Sequence, residues 1–414
     1  MPTRGGSLIL LMFIDSLVWE ATQIVATSGL MSQVDVAPAY VPWLWSFESL
    51  VVVIGSLFIS NFIDNVRRRR LALSTFAAFG MMYAAFYLLY PKAGLVYYSL
   101  LLLVNNQQWL VCPVLIWTLA GDVLSVAGAK RFIPILAAAA MVGSLCGNAL
   151  AALVAKAPGL RHIDALLPCA VLLMVITAIT AGLRDGTAAQ PRRRGMESLR
   201  EGFRFIADIP SFRGLAITRV LIGIAVAVFE YHMLASASHA YPSAETLQVF
   251  YATLEMAVTA LVLLLVWAGV RRMSARLEFD VLFAVMPAAL IGGLLSSLVW
   301  SSVGSAVVGY GLMRVTQRAI DDPARKVFNS AVSEAMRGRM NALLDGCYPL
   351  GWTFGAAVVG LVLLGTERGA LAAELGPGLY LGAAVGCAGA ALWLILRSRA
   401  SYREAGVAML QAPP

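Results

Sequence analysis

The chain has 414 residues, 60% of them apolar and only 13% charged, whereas a soluble domain is nearer half apolar and a quarter charged. That composition excludes an ordinary soluble enzyme and supplies enough apolar residues for roughly twelve membrane spans of about 20 residues each. The net charge of +8 does not point to nucleic acid, because the basic residues sit in the gaps between apolar runs rather than on one polar face.

In chain order, apolar runs bounded by charge, Pro or Gly predict helices near 8–30, 42–63, 71–90, 95–119, 132–155, 163–183, 212–235, 244–270, 278–300, 303–320, 340–365 and 377–397. The first run follows Arg4, contains Asp15 and Glu20 and shows no small-residue cleavage site, so it reads as a permanent span rather than a signal peptide. Basic clusters fall at every second connection: Arg67 to Arg70, Lys130 and Arg131, the stretch from Arg184 to Arg204, Arg271 to Arg276, Arg325 to Arg339, and Arg397 to Arg403. The other connections hold only Lys92, Lys156, Arg161 and Arg368. The positive-inside rule makes the clustered side cytoplasmic, which puts both termini there in an inner or plasma membrane.

The polar stretch 184–211 reads as a cytoplasmic linker between two six-helix halves, 1–183 and 212–414. The halves are related. A shift of 208 residues superposes Arg131 on Arg339, Leu136 on Leu344, Gly143 on Gly351, Gly147 on Gly355 and Leu153 on Leu361. The fifth and eleventh spans both carry Gly-x-x-x-Gly, the spacing that lets helix backbones approach closely. The expected fold is therefore all-α and integral to the membrane, twelve transmembrane helices in two pseudo-symmetric halves. Such a plan resembles the major facilitator architecture, which implies a substrate site near mid-membrane. The segment SNFIDNVRRRR, from Ser60 to Arg70, is similar to that superfamily's loop signature, with Asp64 and Arg67 to Arg70 in the matching places and Arg67 where the central Gly would stand. The resemblance implies a cytoplasmic gate braced by charge pairs.

No phosphate-binding Gly-x-x-x-x-Gly-Lys-Ser/Thr loop occurs, and His162, His232 and His239 form no His-x-x-x-His pair. The five cysteines have no metal-ligand spacing. Neither an enzyme nor a resident cofactor is expected. Ionisable residues inside spans are costly, so each is a candidate for binding or for internal pairing: Asp15, Glu20, Glu48, Arg219, Glu230, Glu255, Arg314, Arg318 and Asp345. Arg219 and Glu230 share a helix face three turns apart, so each needs another partner. Glu48 and Glu255 occupy near-equivalent places in the two halves. In the fourth span Asn105, Gln108 and Trp109 share a face at i, i+3 and i+4, where amides beside an indole either hold a planar ligand or glue helices together. For the gate, Arg131 and Arg339 sit at equivalent cytoplasmic helix starts beside Lys130, with Arg68 near by and with Asp64, Asp122, Asp322 and Asp345 as available carboxylates.

Three segments resemble the nucleotide transporter family, the ATP/ADP translocases of plastids and intracellular bacteria. They are AKRFIPILAAAAMVGSLCGN (Ala129 to Asn148), FEYHMLASASHAYPSAETLQVFYATLE with Glu230, Tyr241, Pro242 and Phe250 in matching positions, and DDPARKVFNSAVSEAMRGRMNALLDG with Asp322, Pro323, Arg325, Arg337, Arg339 and Asp345. The resemblance implies exchange of an anionic, nucleotide-like metabolite, with Arg219, Arg314 and Arg318 as anion contacts. The chain departs from the family at the end of the first span, where positions that are basic in the family are occupied by Trp19 and Thr22, flanked by acidic Asp15 and Glu20. The sequence thus leaves three functions open: exchange of a phosphorylated metabolite, proton-coupled movement of a small organic or cationic solute, and a non-transporting sensor or scaffold. The expected partners are a small-molecule substrate and the lipid bilayer, with no nucleic acid, and a monomer suffices.

Overall fold

A computed structural model describes residues 2–33, 37–62, 67–92, 94–123, 126–183, 204, 206–267, 278–329, 334–369, 372 and 375–402. They form long helices: α1 (Pro2–Met31), α2 (Ala37–Phe62), α3 (Arg68–Leu89), α4 (Leu95–Val123), α5 (Val126–Lys156), α6 (Leu166–Ala181), α7 (Pro210–Ala240), α8 (Ala244–Leu265), α9 (Phe279–Val299), α10 (Val303–Thr316), α11 (Asp322–Asn329), α12 (Glu334–Glu367) and α13 (Leu375–Arg397). Continuous helix is what a chain must adopt where no water can satisfy its peptide groups.

Among the described residues, eleven helices are long and apolar enough to cross a membrane. The expected tenth span differs for a local reason. Its α-helical part, α10, is only 14 residues long, and the helix continues through a π-helical turn, Gln317–Asp321, into the polar α11. Single π turns inside helices often mark functional sites, since the inserted residue turns the following side chains to a new face.

The chain divides into two compact units whose boundaries fall inside two helices. Unit 1 comprises 1–37, 54–192 and 241–260, and unit 2 comprises 38–53, 193–240 and 261–414. Each unit therefore contains one helix end from the other half of the sequence, the start of α8 in unit 1 and the start of α2 in unit 2.

Unit 1 is built around α1, which packs on α5, α4 and α6, while α3 packs on α6 and α4. A methyl group at Gly143 would sit 2.2 Å from Phe13 O, and one at Gly147 would sit 2.3 Å from Leu17 O. No residue but glycine fits this contact. The start of α8 joins through Gln248, whose Nε2 donates to Ala151 O at 2.8 Å, and through Glu245, 3.4 Å from His162 Nδ1. His162 Nε2 in turn lies 2.9 Å from Tyr98 OH.

Unit 2 repeats the plan around α7, which packs on α12, α13 and α10, with α9 on α10 and α13. Methyl groups at Gly351 and Gly355 would sit 2.1 and 2.4 Å from Val220 O and Ile224 O. The duplicated glycines thus meet duplicated backbone positions, Phe13 and Leu17 in one unit and Val220 and Ile224 in the other. The start of α2 joins through Trp45 on Trp352, ring centroids 5.7 Å apart, and Ser46 Oγ donating to Thr353 O at 2.9 Å. At one end of the unit, Phe212, Phe283, Phe328 and Tyr402 form an apolar cluster, and Arg399 Nε is 2.7 Å from Asp280 Oδ2.

Candidate functional site

Each unit carries one polar cluster on its central helix. In unit 1, Asp15 is buried on α1. Gln108 Nε2 donates to its Oδ1 at 2.9 Å, and the Cys112 thiol is its second hydrogen-bonding neighbour. Tyr83 OH donates to Gln108 Oε1 at 2.6 Å, so a neutral relay of phenol, amide and carboxyl links α3, α4 and α1. One turn further along, Asn105 Nδ2 donates to Trp19 O at 3.0 Å and to Thr22 Oγ1 at 2.5 Å, and Thr22 Oγ1 donates to Val18 O at 2.8 Å. Asp15 has no cation at ion-pair distance among the described residues. Trp109 is half-exposed, and its ring centroid is 6.4 Å from that of Trp19 at a tilt of 36°.

In unit 2 the polar cluster is ionic. Arg314 reaches from α10 to the Glu230 carboxylate on α7, donates through Nε to Tyr310 OH at 3.0 Å and through Nη1 to Gln317 Oε1 at 3.2 Å. Gln317 Nε2 donates onward to Tyr348 OH at 3.4 Å. Arg219 lies with its guanidinium 4.6 Å above the Tyr348 ring and its Nη1 3.5 Å from Asp321 Oδ2. That same oxygen accepts from Arg325 Nε at 2.9 Å. Arg325 also pairs with Asp322 and lies 3.7 Å from Asp345. Burial opposes the Arg325 charge, but Asp321, Asp322 and Asp345 outweigh it and hold the guanidinium pKa above its ordinary value. The π turn makes this arrangement, because it follows Arg314, aimed at Glu230, and ends on Asp321, aimed at Arg219.

The structure brings together Asp15, Asn105 and Gln108 in unit 1, with Trp109 at their edge, and Arg219, Glu230, Arg314, Asp322 and Asp345 in unit 2. As the face argument required, Arg219 and Glu230 each take a different partner. Glu20 and Glu255 are buried in unit 1 and Glu48 in unit 2, so the two pseudo-equivalent glutamates each belong to the unit of the opposite half. Arg318 is part-buried in the π turn. Of the expected gate, Arg68 is part-buried at the start of α3. Asp64 lies outside the described residues, as do the side chains of Asp122, Lys130, Arg131 and Arg339. Sequence reasoning passed over Tyr83, Cys112, Asp321, Arg325, Tyr310, Gln317 and Tyr348 as site residues. Only Asp321 and Arg325 left a signal, a helical i, i+4 spacing of opposite charges.

No protein-family model matches the chain, and no curated protein sequence does. Solved structures do. The chain is similar to the nucleoside transporter NupG at 16% identity, with a TM-score of 0.67 over 96% of this chain and 99% of that one. It is similar to a bacterial homologue of the human lysosomal transporter Spinster, inward-facing and unoccupied, at 14% identity and a TM-score of 0.63 over the whole of both chains. It is also similar to the xylose transporter XylE from E. coli, inward open, at 10% identity and a TM-score of 0.63 over 93% of this chain and 94% of that one. The fold is of the major facilitator type. The names of two of these proteins give different cargoes, a nucleoside and xylose, so what they share with this chain is the multi-pass major facilitator fold.

Proposed function

We propose that the chain is a secondary active transporter that couples proton movement to that of an uncharged or cationic organic solute by alternating access. The observation that carries this reading is Asp15, a buried carboxyl whose described partners, Gln108 and Cys112, are both uncharged. A charged carboxylate without a cation is expensive inside a membrane. Taking up a proton removes that cost, and releasing it again requires water or cargo to arrive. A group of this kind links protonation to a conformational step. The Tyr83 and Gln108 relay holds the carboxyl in one place while it gains or loses the proton.

Exchange of a phosphorylated metabolite has less support, since two of the three arginines expected to contact it, Arg219 and Arg314, face carboxylates. Among the described residues of the unit 2 cluster, the guanidiniums of Arg219, Arg314 and Arg325 face the carboxylates of Glu230, Asp321, Asp322 and Asp345. Those three cations are balanced by four carboxylates. NupG is a nucleoside transporter, and a nucleoside is an uncharged solute. Alternation of the basic clusters supports a cytoplasmic location for both termini.

The test uses proteoliposomes holding a pH-sensitive dye. Uridine, adenosine, nicotinamide, glucose and choline are added in turn, with and without an imposed proton gradient. At least one should cause proton influx and accumulate with the gradient. Asp15→Asn, which keeps the amide contact and removes the titratable proton, should abolish accumulation. Normal gradient-driven uptake by Asp15→Asn refutes the coupling, and the absence of movement of any solute favours a sensor or scaffold.

A further inference from the structure

On α1, Ser16, Trp19, Glu20, Gln23 and Thr27 fall within an arc of about 100°. The arc lies between the side bonded to α4, marked by Asp15 and Thr22, and the side seated on α5, marked by Phe13 and Leu17. Buried polar atoms without a hydrogen bond among the described residues gather along it: the indole N–H of Trp19, the carbonyl oxygen of Gln23 and the carbonyl oxygen of Asn105. The reason is visible in each case. Asn105 has spent its NH2 on Trp19 O and Thr22 Oγ1, and Gln23 directs its own toward Thr27 Oγ1 at 3.4 Å. On α5, Asn148 is fully buried with both ends of its amide unbonded. It follows Gly147, where an added methyl would lie 3.0 Å from Glu20 Cβ. Leaving several buried polar groups unbonded is costly, and native structures avoid it unless something else completes them.

We infer that this arc is a binding site for an uncharged heterocycle, in deepening of the transport reading above and resting on it. The Trp19 and Trp109 rings supply flat apolar faces. Gln23 and Asn105 accept from N–H or O–H groups on the edge of the ring, and the Trp19 N–H donates to a ring nitrogen or carbonyl. Asn148, which can do both, stands ready on the α5 side. The chemistry selects against two other classes. A phosphate would meet the buried Asp15 carboxyl, which has no cation at ion-pair distance among the described residues, and a sugar offers neither a π face to the indoles nor a ring nitrogen or carbonyl to the Trp19 N–H.

The full-length protein, purified in detergent with no gradient, is titrated calorimetrically with uridine, adenosine, nicotinamide, uridine monophosphate and glucose. At least one of the three uncharged heterocycles should bind, and the monophosphate and glucose should bind at least tenfold more weakly. Trp19→Phe keeps an aromatic ring and removes the N–H. Gln23→Met keeps the length and removes the acceptor. Each should weaken heterocycle affinity about tenfold while the unliganded melting temperature stays near wild type. Failure of all three heterocycles to bind overturns the site, as does unchanged affinity in both variants or equal binding of the monophosphate. Should either variant melt well below wild type, Trp109→Leu, at a half-exposed position, should weaken heterocycle affinity about tenfold, and unchanged affinity in that variant overturns the site. Because binding is read at equilibrium, a protein that binds uridine yet moves no proton refutes the coupling and leaves this site standing, and the converse result does the opposite.

Discussion

Replacing Asp321 by Asn removes the one carboxylate that Arg219 and Arg325 share. Both arginines are nearly buried, 6% and 8% exposed. Arg325 retains Asp322 and Asp345, so the loss falls on Arg219, which keeps the Tyr348 face and a longer-range attraction to Asp322. At 3.5 Å and an effective dielectric of about 20, the lost attraction is about 5 kcal/mol. The Tyr348 contact is present before and after and does not enter the difference, while the remaining attraction to Asp322 offsets part of the loss, and the expected destabilisation is about 3 kcal/mol, at the low end for breaking a buried pair. Arg219→Met alone should cost about 1 kcal/mol, because Asp321 still holds Arg325. The double variant should lose about 2 kcal/mol, less than Asp321→Asn alone and about half the sum of the single losses, a coupling of about 2 kcal/mol. The assay is reversible unfolding in mixed micelles, run on wild type, both single variants and the double. An unaffected Asp321→Asn protein, or a double variant whose loss equals the sum of the two single losses, would refute this account of the cluster.

Gly143→Ala and Gly351→Ala put a methyl 2.2 and 2.1 Å from a backbone oxygen. Each should cost about 2–3 kcal/mol, the upper range for overpacking where the neighbour is main chain, and a loss confined to one unit would contradict the equivalence of the two helix pairs. Tyr402→Phe should be within about 0.5 kcal/mol of wild type near neutral pH, because the hydroxyl it removes is buried and makes no hydrogen bond among the described residues. Burial raises the Tyr402 pKa above its ordinary value, so the folded state favours the neutral phenol. Its stabilisation is complete below about pH 10 and declines above it, and Tyr402→Phe should reduce that alkaline decline in a melting series from pH 8 to 11. A cysteine placed at position 193 in a cysteine-free background should resist membrane-impermeant reagents in intact cells. External labelling there would reverse the proposed orientation.

Several features were legible in the sequence because they follow from sterics or from the cost of charge in hydrocarbon. Gly143, Gly147, Gly351 and Gly355 could be paired by a constant shift, since a backbone contact tolerates no side chain in either copy. The need of Arg219 and Glu230 for separate partners followed from helix geometry. The amide nitrogens of the fourth span glue α4 to α1, one of the two roles considered for them, and the other enters only through the proposed site at the Asn105 oxygen. Asp321 was hidden for a different reason. A periodicity of 3.6 residues carried through the tenth span assigns faces correctly up to Thr316 and wrongly beyond it, where the π turn adds a residue. Asp15 stood out as an ionisable group in a span, but its neutral relay did not, as Tyr83 and Cys112 lie on other helices and look like ordinary apolar-face residues.

The helix ends that belong to the opposite half also constrain how the protein is made. Ser46 bonds to Thr353, 307 residues further on, and Trp45 waits for Trp352 over a similar interval. Chains are synthesised from the N-terminus, and distant contacts form late. The start of α2 must therefore enter the bilayer long before its packing partner exists. During that interval its aromatic face, Trp43 and Trp45 included, can be covered only by lipid or by a chaperone of the insertion machinery. The start of α8 waits far less, since α5 and His162 precede it. Biogenesis is thus asymmetric in a molecule whose architecture is symmetric, and truncations lacking α12 should leave the second helix as the element that quality control detects first.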